Sequence, residues 1–173
     1  MLFEKRNRGG IVALLMGFYA VTAQAAPVYN IIDLGTLGGN RSGASAVNEN
    51  GQVTGSSPLT GSSPSHAFIG DSANGLTDLG TLGGADSIGY GINDNGKVTG
   101  QSRAVDVGAP SHAFVGDATN GLTDLGTLGG NYSYGYGINN NGQVVGESRI
   151  TGDSDIHAFV GDATNGLTDL GTL

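Results

Sequence analysis

Three histidines, His66, His112 and His157, are the only imidazoles of the chain, spaced by 46 and 45 residues. Three imidazoles at near-equal intervals could meet at a pseudo-symmetry axis, an arrangement suited to zinc. None has a Cys, a second His or an acid at ligand spacing. Each ring is therefore expected to bond a Ser, an Asp or the backbone within its own repeat. Asp33, Asp78, Asp124 and Asp169 recur in the same way. A facing pair could hydrolyse glycosides, but such a pair needs two environments that drive the carboxyl pKa values apart. Near-identical repeats supply near-identical environments, so these acids read as turn or strand-end residues. The tetrapeptides at 48–51, 93–96 and 139–142 (Asn-Glu-Asn-Gly, Asn-Asp-Asn-Gly, Asn-Asn-Asn-Gly) faintly resemble calcium loops. They carry one acid or none, whereas a calcium loop needs several, and turn chemistry explains them better. Gly38-Gly39 and its copies are followed by no Lys and no helix, which excludes a phosphate loop. No Gly-x-Ser-x-Gly elbow occurs. No catalytic, cofactor-binding or metal-binding residue is assigned, and no enzyme activity is expected.

The elements that carry these residues are repeated. Asp33-Leu34-Gly35-Thr36-Leu37-Gly38-Gly39 returns at 78–84 and 124–130 and begins again at Asp169. The repeats run 33–77, 78–123 and 124–168, with a partial fourth at 169–173. Segments 112–128 and 157–173 are identical over 17 residues. Repeat length varies only before each His, at 58–65, 103–111 and 149–156, and length variation marks a loop. Asn-Gly occurs twice per repeat, for example at Asn95-Gly96 and Asn120-Gly121. The dipeptide supplies the positive φ angles of a two-residue hairpin turn. Apolar and polar residues alternate on both sides, and no window shows helical spacing. The expected fold is all-β: three tandem four-stranded antiparallel repeats of about 45 residues, the size of a propeller blade. Closed propellers usually need at least four blades, so an open or incomplete array is expected.

The first 25 residues differ from the rest. Lys5, Arg6 and Arg8 precede an apolar run of 11 residues, 11–21, and then Ala23-Gln24-Ala25. That order is a signal peptide, and the run is shorter than the ~20 residues that span a bilayer. Cleavage after Ala25 is expected, leaving a repeat domain at 26–173 with four bases against fourteen acids. An acidic surface repels phosphate, so neither nucleic acid nor anionic lipid is an expected partner. With no Cys, an exported chain is held by packing and hydrogen bonds alone.

The combination His-Ala-Phe, Asp-Leu-Gly-Thr-Leu-Gly-Gly and Gly-Ile-Asn-x-x-Gly-x-Val-x-Gly resembles the HAF family of bacterial extracellular repeat proteins, from about Asp33 to Leu173. Members often carry a Trp shortly after the Phe, where this chain has Val115-Gly116-Asp117, and they tend to have more copies. The resemblance implies export and a propeller-like array, and no particular reaction. The leading expectation is a structural or binding module in the periplasm, at the cell surface or outside the cell. Its partner is an unspecified extracellular ligand or protein, with self-association also expected. An extracellular hydrolase using Asp and His at the array axis is the rival. A non-functional remnant of a longer array is the third reading.

Overall fold

The structure, a computed structural model, describes residues 30–105, 110–152 and 155–172. The chain divides into two units at Ile31/Ile32, the second running to Leu173. The signal-peptide reading of residues 1–25 lies outside the described residues. The second unit is all-β and builds three four-stranded antiparallel meanders. The first holds β1 (Gly43–Val47), β2 (Val53–Pro58), β3 (Ser65–Asp71) and β4 (Gly75–Asp78). The second holds β5 (Gly83–Ile92), β6 (Val98–Ala104), β7 (Ser111–Asp117) and β8 (Gly121–Asp124). The third holds β9 (Gly129–Ile138), β10 (Val144–Ile150), β11 (Ile156–Asp162) and β12 (Gly166–Asp169). Each sheet is open, as expected for propeller-like repeats, and none closes into a barrel.

The sheet frame is offset from the motif frame. Asp78 opens a sequence motif yet closes a sheet, because it pairs with Phe68 across β3 and β4. Asp169 closes the third sheet opposite Phe159 in the same way. Leu-Gly-Thr-Leu is then the connection that carries the chain to the next sheet.

The turns differ from the two-residue hairpins expected from Asn-Gly. In the β5–β6 turn Asn93 N donates to Lys97 O and Gly96 N to Asn93 O, closing a three-residue loop. The preceding residue explains it. Asn93 Oδ1 accepts from Asn95 N and Lys97 N, satisfying the loop from within. A type I turn plus one left-handed residue then suffices, and Gly96 supplies it at φ +72°. Asp117 does the same for the β7–β8 turn through Thr119 N and Asn120 N, and Gly121 has φ +68°.

Two cores lie between the sheets. Ala67, Ile69 and Leu79 of the first sheet and its exit pack on Val98 and Phe114 of the second. Ala113, Val115 and Leu125 pack on Val144 and Phe159 of the third. Small residues let the sheets close up. A Cβ on Gly91 would lie 2.9 Å from the Tyr136 carbonyl oxygen, nearer than atoms can sit. Buried serines stitch the junctions. Ala67 N donates to Ser87 Oγ at 2.8 Å, and Ala113 N to Ser133 Oγ at 2.7 Å. Each serine in turn donates to a connector carbonyl, Gly80 O or Gly126 O. Among the described residues no buried side-chain polar atom lacks a partner, as a native-like interior requires.

Candidate functional site

Each histidine stands on the third strand of its sheet, opposite the strand that ends in Asp. His66 Nδ1 meets both Asp78 carboxylate oxygens at 3.0 Å. His112 meets those of Asp124 at 3.0 and 2.8 Å, and His157 both of Asp169 at 2.9 Å. The same carboxylates accept Gly80 N, Gly126 N and Gly171 N, which bends the chain out of its sheet, and after Asp78 and Asp124 toward the next one. The Gly171 N–H, and then the His157 ring, hold Asp169 below its ordinary carboxylate range. The pair is thus an intra-sheet strut. No Ser or Thr hydroxyl of the described residues bonds a histidine ring. Among the described residues no three His, Asp or Glu side chains are grouped to hold a metal.

The Asn-rich turns are occupied with each other. Asn48 Nδ2 donates to Asn93 O at 2.9 Å, and Asn93 Nδ2 to Asn139 O at 2.8 Å. Glu49 N donates to Asp94 Oδ1, and Asp94 N to Asn140 Oδ1. The Asn140 amide and then the Glu49 N–H lower the Asp94 pKa. These contacts form a ladder running from sheet to sheet.

A second polar feature is a groove of about 410 Å³ between the β7–β8 and β11–β12 turns. Lys97, which stands where the other repeats have Gln52 and Gln143, forms an ion pair there with Asp117. The Lys97 ammonium, followed by the Asn120 amide, holds the Asp117 carboxyl well below its usual range. The groove carries one cation already matched to its anion.

A third feature departs from the repeat frame, and residue-type reasoning did not single it out. Each sheet has a bulge near the end of its first strand, where the register shifts around Ser45, Tyr90 and Tyr136. A bulge re-aims the extra side chain. The Tyr90 and Tyr136 rings lie 5.7 Å apart across the second junction. Along β9 the alternation Tyr132, Tyr134, Tyr136 places three rings on one face. Tyr132 and Tyr134 stack at 4.7 Å, and Tyr134 meets Tyr136 edge-on at 6.4 Å. Arg149 lies over the Tyr132 ring at 5.2 Å, a cation–π contact. Glu147 is in register with Tyr134, and Gln101 Nε2 donates to Tyr90 Oη. Desolvation, aided by the Glu147 carboxylate, pushes the Tyr136 pKa up to about 12. Tyr136 nevertheless remains 47% exposed. In the first repeat the same columns hold Arg41, Gly43, Ser45 and Ser56. The columns that vary most between repeats therefore gather on one surface. The opening residues of two variable loops adjoin it: Arg149 of 149–156, over Tyr132, and Arg103 of 103–111, ion-paired at 3.3 Å with Asp86, the counterpart of Tyr132. The signal in the sequence was the period-2 run of tyrosines at 132–136, present in one repeat only.

No family model, no curated protein and no solved structure matches the chain.

Proposed function

We propose that the protein is an exported binding module, and that its contact surface is the tyrosine strip of Tyr90, Tyr132, Tyr134 and Tyr136. The observation that carries this reading is the concentration of repeat-to-repeat variation on that strip. Invariant columns serve the array, whereas columns that differ while the frame stays constant are where a repeat protein writes specificity. Tyrosine offers a flat apolar ring and a polar tip at low entropic cost. The ligand class that matches is an uncharged polysaccharide. Its C–H faces stack on phenol rings, and its hydroxyls bond Gln101, Glu147 and Arg149. The formal charge of −8 disfavours an anionic glycan. The resemblance to HAF repeats and the basic–apolar–small order of residues 1–25 support export, with cleavage after Ala25. A hydrolase using Asp and His is less well supported, since Asp78, Asp124 and Asp169 are each bound to their own sheet's His and to a turn N–H.

The chain has no Trp, and four of its six tyrosines form the strip, so tyrosine emission is weighted toward it. Titration with neutral polysaccharides is expected to change that emission. Tyr132→Ala and Tyr136→Ala are expected to weaken binding at least tenfold, about 1.4 kcal/mol, and His112→Ala to leave it intact. Binding insensitive to both tyrosine changes, or turnover of a glycan or peptide substrate that is lost in His112→Ala, would sink the proposal.

A further inference from the structure

The four strip tyrosines touch one another in an unbroken series. Tyr132 stacks on Tyr134, Tyr134 meets Tyr136 edge-on, and Tyr136 lies 5.7 Å from Tyr90 with the rings tilted by 45°. None of the four is buried. The chain has no Cys and no Trp, and its two methionines are Met1 and Met16. Cys and Met are the side chains that ordinarily take up oxidising equivalents, so beyond Met16 a one-electron oxidant meets tyrosine first.

Charge along the strip decides where a radical rests. The Arg149 cation over Tyr132 opposes loss of an electron there. The Tyr136 hydroxyl donates to the Glu147 carboxylate, which takes the phenolic proton as the electron leaves. Contact between successive rings lets an electron vacancy formed at any member move to Tyr136. Its neighbour across the junction is Tyr90, 46 residues earlier. The two ring radii span about half of the 5.7 Å, and the broad χ2 well of tyrosine lets the ring carbons beside the hydroxyls turn together. Tyr134 is farther from Tyr136, at 6.4 Å, and the Tyr132–Tyr134 pair, at 21°, presents faces rather than edges.

We propose that Tyr90 and Tyr136 form a covalent cross-linking site, joined as dityrosine by a peroxidase using hydrogen peroxide. Each phenol gives up one electron and its proton. One Cε carbon of each ring forms the new C–C bond, and the hydrogens on those carbons move to the phenolic oxygens as both rings regain aromaticity. The chain loses two hydrogens in all, and one peroxide is reduced to two waters. The bond ties β5 of the second sheet to β9 of the third and closes a loop of chain, the service a disulfide renders where cysteine is present. Coupling needs no ligand and is independent of the polysaccharide reading.

The test is peroxidase with hydrogen peroxide on the dilute full chain, read by denaturing electrophoresis, intact mass and tryptic mapping. Lys97 and Arg103 lie between the two tyrosines, so trypsin leaves Tyr90 in peptide 42–97 and Tyr136 in peptide 104–149. The expected product is a single chain lighter by two hydrogens, with dityrosine emission and those two peptides joined at Tyr90 and Tyr136. Its melting midpoint is expected to exceed that of the untreated chain. Tyr90→Phe and Tyr136→Phe keep the ring, and each is expected to abolish the joined pair. Fragmentation of the parent's joined peptides locates the bond even where a variant misfolds. Coupling only between chains, a bond at other tyrosines, a joined pair that survives in Tyr136→Phe, or an absence of dityrosine overturns the proposal.

Discussion

Asn93 shows how much one polar side chain carries in this fold. It is 4% exposed, its Oδ1 receives two turn N–H groups, and its Nδ2 reaches Asn139 O of the next sheet. Asn139 makes the same turn bonds but is exposed, and its amide stays within its own turn. Leaving buried backbone groups unmet costs about 1–3 kcal/mol, whereas exposed ones turn to water. Asn93→Ala is therefore expected to lower the urea midpoint clearly, and Asn139→Ala to lower it by less than half as much. Equal shifts would mean that the ladder between turns contributes nothing. Ser133→Ala belongs with Asn93→Ala, since it strands the buried Ala113 N–H.

The strands derive their strength from the neighbouring sheet, and leucines in identical local sequence reveal it. Leu125 and Leu170 occupy the same place in the repeated segments 112–128 and 157–173, yet they are 5% and 60% exposed. Truncating a buried leucine costs about 2–5 kcal/mol through lost transfer energy and the cavity left behind. Leu125→Ala is expected to fall in that range and Leu170→Ala below about 1 kcal/mol, since an exposed truncation leaves no cavity. Denaturant unfolding of the two single variants checks the pair in dilute solution, where chains are separate. The bulges belong to this scale as well. They lift Tyr90 and Tyr136 out of the ladder without breaking the pairing on either side.

The molecule as a whole is acidic, and its carboxylates hold turns and junctions. Hydrogen bonds from Asn74, Asn140 and Asn165 side chains, then from backbone N–H groups, lower the pKa values of Asp71, Asp94 and Asp162. Lys97 lowers that of Asp117. A depressed carboxyl stabilises the fold above its unfolded value of about 3.9, and that contribution is lost as pH falls through the folded value. The melting midpoint is expected to hold near neutrality and to drop steeply below about pH 4. Thermal melts across acid pH measure it, and a midpoint that rises on acidification would contradict the turn assignments.

Local composition and spacing were enough to determine the class and the period. Alternation, Asn-Gly and the absence of helical spacing specify strands and turns within a few residues, so four strands per repeat were legible before any contact was known. The His column was legible as bonding locally, to a Ser, an Asp or the backbone, since a feature present in every copy acts within the copy; that the partner is the Asp opening the next motif was not, because the sheet frame is offset from the motif frame. Turn length was less legible, because the Asn or Asp before each loop hydrogen-bonds into it and removes the need for a second left-handed residue. Only the tertiary structure decided which faces are covered. Segments 112–128 and 157–173 have one sequence and two environments: Ala113 is sealed by the third sheet, and its copy Ala158 is not. Burial is a property of what packs against a face, and identical local sequence holds no information about that. The tyrosine strip has the same origin. Its members are 46 residues apart at Tyr90 and Tyr136 and become neighbours only because β5 and β9 stack across a junction.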